Sequence, residues 1–179
     1  MRIISGRHRG RKLAEFNVEG IRPTSDRAKE SLFNILSTKI VGATVLDLFC
    51  GSGSIGLECI SRGADRVYFV DKSASSIAVL KKNISLLKEE GSCAVSVSDY
   101  KDYLNRCSDR FDIIFLDPPY AEEFGTPALS IIAQRGLLKE GGVAIYERDR
   151  SFSGEIAGLE KVDERKYGKA YLTFFKAES

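Results

Sequence analysis

Histidine is nearly absent from this 179-residue chain, with His8 the single example. Cysteine is scarce too: Cys50, Cys59, Cys93 and Cys107 lie 9, 34 and 14 positions apart, and none forms a C-x-x-C pair. A zinc site or a Cys–His nucleophile pair has almost no material here, so no metal is expected. Reduced thiols in a cytoplasmic setting are the matching expectation. No apolar run approaches the roughly 18 residues of a membrane span. The first residues carry no apolar core of a signal peptide either. Repeats and low-complexity tracts are also missing. What remains, 43% hydrophobic and 29% charged residues, suffices for a packed core and excludes a wholly disordered chain.

Net charge is low as well, at +2, but it is unevenly placed. Residues 1–30 hold eight Lys/Arg against four Asp/Glu, and residues 31–179 hold nineteen against twenty-one. Arg2, Arg7, Arg9, Arg11 and Lys12 fall within the first thirteen residues, which contain no acid. Such a block fits an arm for a polyanion, or equally a solvated terminus.

Residues 2–16 read as two short strands around a turn bracketed by Gly6 and Gly10. Ala28, Leu32 and Ile35 recur at helical spacing and predict a helix over about 25–36, capped by Thr24 or Ser25. From residue 44 the pattern changes to apolar runs at 44–49, 67–70, 113–116 and 143–146, with a weaker one at 94–97. These runs do not alternate, which predicts burial on both faces, as in a parallel sheet. A helical stretch at about 73–89 carries Ile77, Leu80, Ile84 and Leu87 on one stripe. Strand alternating with helix predicts a doubly wound, Rossmann-like α/β sheet. Two runs flanking Gly168, 162–167 and 171–176, predict an antiparallel C-terminal hairpin. The expected division is a basic β-hairpin extension at 1–20 and one α/β domain at 21–179.

Each run carries an acid inside it or just after it: Asp47, Asp71, Asp99, Asp117 and Glu147. In a parallel sheet these ends share the edge where open α/β sheets bind ligands. Gly51 to Gly56 fits G-x-G-x-x-G between a strand and a helix, with Asp71 20 residues beyond Gly51, placed to accept the hydroxyls of a ribose. That pattern suits a dinucleotide or S-adenosylmethionine. Asp47, four residues before Gly51, would repel a pyrophosphate and attract the ammonium of a methionine moiety. Asp99 and Tyr100 then fit the adenine, as a carboxylate for its amine with an aromatic neighbour.

Asp117-Pro118-Pro119-Tyr120 ends a buried run and resembles the amino-methyltransferase signature. Neither proline offers an N–H, so the tetrad is rich in acceptors: the Asp117 carboxylate and the Pro118 carbonyl. Two acceptors converging on an NH2 group aim its lone pair away from the conjugated ring. Tyr120 supplies a face on which an extruded base can stack.

Further segments extend the match: Met1–Gly6, Arg9–Leu13, Arg22–Arg27, Glu30–Asn34, Asp47–Glu58 and Ser61–Ala64. Together with the tetrad they resemble the RsmD-type 16S rRNA guanine-N2 methyltransferases across nearly the whole chain. The resemblance implies an enzyme of the guanine(966)-N(2) type that uses S-adenosylmethionine on 16S rRNA in the small ribosomal subunit, acting as a monomer. It implies Asp47, Phe49, Gly51, Gly53, Asp71, Lys72, Asp99 and Tyr100 as cofactor positions. The catalytic positions would be Asp117, Pro118, Pro119 and Tyr120. RNA contacts would fall on Arg2, Arg7, Arg9, Arg11, Lys12, Arg22 and Thr24. Three alternatives stay open: a methyltransferase for DNA adenine or cytosine, a nicotinamide-dependent oxidoreductase, and a non-catalytic RNA-binding assembly factor.

Overall fold

A computed structural model of the chain describes residues 1–15 and 26–179. The elements are α1 (Asp26–Ile35), β1 (Thr44–Leu48), α2 (Ser54–Ser61), β2 (Arg66–Asp71), α3 (Ala74–Leu87), β3 (Cys93–Val97), α4 (Tyr100–Arg106), β4 (Phe111–Leu116), α5 (Gly125–Arg135), β5 (Leu138–Arg148), β6 (Leu159–Tyr167) and β7 (Ala170–Ala177). The strands form one seven-stranded sheet in the order β3-β2-β1-β4-β5-β7-β6. β1 to β5 are parallel, and β7 returns antiparallel between β5 and β6. This is the expected doubly wound sheet closed by an antiparallel hairpin.

Alternate residues of the central strands feed two cores. Val45, Val67, Phe69, Ile113 and Phe115 pack with residues of α1, α2 and α3. Leu46, Leu48, Val70, Ile114 and Leu116 pack with α4 and α5 on the opposite face. Both faces are covered, which is why these strands read as unbroken apolar runs. In α3 the stripe Ile77, Leu80, Ile84 and Leu87 is buried. Its N-cap Ser73 accepts from the Ser76 N–H, and Lys88 closes it in a left-handed conformation.

The N-terminal segment departs from expectation. Instead of two strands, a single antiparallel bridge joins Arg2 and Lys12. The bridge consists of the bonds from Ile3 N to Arg11 O and from Leu13 N to Met1 O, and Gly10 N also donates to Ile3 O. The N–H groups of Ile4, Ser5, His8 and Ala14 instead go to side chains of α2 and α3, so no longer ladder forms. Ile3 and Leu13 join the main core. The expected boundary between residues 20 and 21, and the expected caps Thr24 and Ser25, lie outside the described residues. No helix among those described is long and apolar enough to cross a membrane.

Candidate active site

Strand order reverses between β1 and β4, so a crevice opens at the C-terminal ends of these two neighbours. The register pairs Leu48 with Val70 and with Leu116, and Leu116 with Tyr146. Consequently Asp99, Asp71, Asp47, Asp117 and Glu147 follow one another along a single edge of the sheet, with Asp47 and Asp117 flanking the crevice. The five acids expected at one edge are all there.

The glycine loop divides its labour. Gly51 has a φ of 55°, and a Cβ there would meet open space. Gly53 has a φ of 90°, and a Cβ would lie 2.2 Å from Leu80 Cδ1. At Gly56 a Cβ would lie 2.3 Å from Phe69 Cε1. Gly53 and Gly56 therefore seat α2 against α3 and β2, and only Gly51 offers an open approach. Asp71 holds the loop: its carboxylate accepts from Gly51 N and Ser73 N, both at 2.9 Å. Asp47 is 2% exposed and accepts from Gly56 N at 3.0 Å. Burial pushes its carboxyl up to about 8; the Gly56 N–H opposes this and the Asp71 charge adds to it. An unliganded Asp47 is thus largely protonated at neutral pH, and a cation delivered beside it would restore its charge.

Phe49 sits in a left-handed conformation, with a φ of 64°, directly before the loop. Its ring lies 5.3 Å from Tyr100 and 6.1 Å from Phe124, nearly parallel to the latter. Tyr100 and Phe124 are 5.1 Å apart, and Lys72 Nζ stands 5.6 Å over the Phe124 ring. Tyr100 is buried within this group. Asp99 is exposed and caps α4, accepting from Lys101 N.

Asp117 follows β4 directly, with Pro118 buried and Pro119 and Tyr120 exposed. Its side chain hydrogen-bonds Glu147, which is 3% exposed. Burial first, then the Glu147 carboxylate and its hydrogen bond, then Asp47, drive the Asp117 carboxyl well above the usual range. Two acids in contact, Glu147 buried and Asp117 half-buried, hold a proton between them.

The basic arm docks on α2 and α3. Glu58, fully buried, accepts from Ile4 N and Ser5 N at 2.8 and 3.0 Å and pairs with Lys29 and Arg62. These donors outweigh burial and hold its carboxyl below the usual range. Lys29 Nζ also donates to Ser54 Oγ at 3.0 Å, in the first turn of α2. Asn83 accepts from Ala14 N and donates to the carbonyls of Ala14 and Ser52.

Over residues 1–176 the chain matches a family model described as conserved hypothetical protein 95. It is 39% identical over 153 residues to ribosomal RNA small subunit methyltransferase D of Haemophilus influenzae, covering 84% of this chain and 79% of that one. The same-named protein of Escherichia coli K12 is 35% identical over 149 residues, covering 83% and 75%. The solved structure of the Escherichia coli protein yhhF superposes with a TM-score of 0.89 at 31% identity, covering 99% and 98%. The chain belongs to the ribosomal RNA small subunit methyltransferase D family.

Within this methyltransferase D fold, Asp47 and Asp71 bond the glycine loop that holds Gly51 and Gly53, Phe49, Tyr100 and Lys72 meet around Phe124, Asp99 caps α4, and Asp117 to Tyr120 follow the neighbouring strand β4. Arg2, Arg7, Arg9, Arg11 and Lys12 are exposed on the arm. Two of them are already engaged: Arg7 pairs with Glu89, and Arg11 donates to Leu86 O. Arg22 and Thr24 lie outside the described residues. Sequence reasoning listed Glu147 only as an edge acid and missed its contact with Asp117, although adjacent strand ends carried the signal. It missed Phe124 as well, which follows the tetrad with no periodic cue. Lys29, Glu58 and Asn83 were also missed, since polar residues within helices ordinarily face water.

Proposed function

We propose that this chain transfers a methyl group from S-adenosylmethionine to the exocyclic N2 amine of a guanine in 16S rRNA, the guanine(966)-N(2) type of reaction. The observation that carries the reading is the placement of Asp117 and Pro118 across the β1–β4 crevice from a glycine loop that is open only at Gly51. The residues suit the cofactor: Gly51 leaves room for a ligand, and buried Asp47 gains by meeting an ammonium. The relatives' printed names support rRNA of the small subunit as the substrate class.

When bound, S-adenosylmethionine supplies an electrophilic methyl group on a sulfonium. The chain supplies position and electrostatics. The Pro118 carbonyl and the outer oxygen of Asp117 accept the two N–H bonds of the amine, leaving its lone pair directed into the crevice. An Asp117 that donates its proton to Glu147 keeps that outer oxygen as an acceptor. After transfer the amine nitrogen must lose a proton, and the Asp117–Glu147 pair lies within reach to take it. Tyr120 offers its exposed ring to the extruded base, and Pro119 rigidifies the turn that presents it. Arg2, Arg9 and Lys12 hold the RNA backbone, assisted by Arg7 and Arg11.

The test is radiolabelled methyl transfer to small subunits, naked 16S rRNA and duplex DNA, followed by mass mapping of the product nucleotide. N2-methylguanosine in 16S rRNA is the expected product. Preferential labelling of DNA, or tight NAD binding with no binding of S-adenosylmethionine, would overturn the reading.

A further inference from the structure

β7 runs back along β5, so the turn between β6 and β7 emerges at the same sheet edge as Asp117 and Glu147. The register makes this concrete: Arg148 pairs with Tyr171, Tyr171 with Lys166, and Tyr167 with Ala170. Arg148 also lines a cleft with Pro118, Pro119, Tyr120 and Arg150, which the acids Glu122, Glu123 and Asp149 share. The register therefore places Lys166 and Lys169, at the turn, beyond Arg148 on the sheet edge that carries the Asp-Pro-Pro-Tyr tetrad.

The cations on this surface fall into two groups. Arg150 pairs with Glu123, Lys161 with Glu164 and Arg165 with Asp163. Arg148, Lys166 and Lys169 have no carboxylate within ion-pair distance among the described residues. Arg148 is fixed in place: Nε donates to Arg150 O at 2.9 Å, one terminal nitrogen donates to Ser151 O at 2.7 Å, and the guanidinium lies 5.6 Å from the Tyr146 ring. Lys166 Nζ stands 5.3 Å over the Tyr171 ring, and Lys166 and Lys169 are both exposed. Glu164, which would otherwise face these cations, is occupied. It accepts from Ser151 Oγ, Phe152 N at 2.9 Å and Thr173 Oγ1 at 2.7 Å, and so tethers the loop after β5 to the hairpin.

The basic arm lies on the other flank, against α2 and α3, next to β1 and β2. A nucleotide drawn out of its stack carries a backbone that continues in both directions. An arm on one flank holds only one of them. Preset cations facing a strong polyanion are what phosphate contacts require.

We propose that Lys166 and Lys169 of the β6–β7 turn form a second RNA contact that holds backbone phosphates on the side of the target nucleotide away from the arm, with Arg148 ordering the loop between the turn and the tetrad. This rests on the rRNA methyltransferase reading. The test replaces Lys166 and Lys169 with alanine together, and separately with arginine, and follows binding to a 16S rRNA fragment against salt. Loss of two phosphate contacts lowers the slope of log K against log salt by about 1.5. A several-fold rise in KM for RNA should accompany it, with S-adenosylmethionine affinity and thermal unfolding unchanged; the arginine variant should behave as the unsubstituted chain. An unaltered slope and KM would overturn the proposal while leaving the methyltransferase reading intact. Weaker binding to small subunits with unchanged binding to naked rRNA would overturn it too, by assigning the turn to a ribosomal protein. Failure of the unsubstituted chain to methylate rRNA would overturn the underlying reading.

Discussion

Asp47→Asn is the perturbation whose size follows most directly from the structure. Burial pushes the Asp47 carboxyl from 3.8 up to about 8. Between these values the folded chain keeps a proton that the unfolded chain has released. Asp47 therefore contributes stability that is fully present below about pH 4 and is lost as the pH rises through about 8. The slope is about 1.4 kcal/mol per pH unit, or about 3 kcal/mol between pH 5 and pH 7. Asparagine can still accept from Gly56 N, has nearly the same volume and does not titrate. Asp117, whose carboxyl is also raised, contributes the same sign in both proteins, and the substitution alters only the smallest cause of its shift, the Asp47 charge. Urea unfolding at pH 5, 6 and 7 should show the variant gaining on the parent by about 3 kcal/mol across the range. Parallel curves would refute the assignment of a protonated, buried Asp47. Binding of S-adenosylmethionine should strengthen with pH in the parent and release a proton, measurable by calorimetry in buffers of different ionisation heat. In the variant both effects should vanish.

Asp117→Ala should abolish methyl transfer while largely sparing S-adenosylmethionine affinity, checked by methyl incorporation beside calorimetry. Glu58→Ala strands the buried Lys29 and should cost about 3–5 kcal/mol in urea unfolding. Replacing Arg9 and Lys12 by alanine should weaken rRNA binding and lower its salt slope by about 0.7–0.9 per lost phosphate contact. Arg7→Ala and Arg11→Ala should do less, since those side chains are tied to Glu89 and Leu86 O.

The parallel sheet was legible because residues buried on two faces leave unbroken apolar runs, and the site was legible because strand ends share an edge. Asp47, Asp71 and Asp117 follow from that rule alone. The arm was legible as charge but not as architecture. Its strands were expected to bond to each other, whereas Glu58, Ser61 and Asn83 take those backbone groups instead. Lys29 and Glu58 illustrate why: local pattern assigns helical polar residues to water, and only a segment more than 20 residues away makes their positions dry. Glycine reasoning treated the loop as one ligand-facing unit, yet Gly53 and Gly56 are set by Leu80 and Phe69, which lie distant in sequence.

Asn83 joins the arm to the glycine loop through one amide, binding Ala14 on one side and Ser52 on the other. Lys29 makes a second such joint, between Arg2 O and Ser54 Oγ. The arm's inner surface therefore supports the scaffold of the glycine loop, and its outer surface carries the exposed cations. Under the proposed function, exchange of those surface cations changes RNA affinity and leaves this inner scaffold in place. Trimming the arm would instead remove the Ala14 and Arg2 partners that steady Asn83 and Lys29 beside the loop, and empty the places of Ile3 and Leu13 in the core.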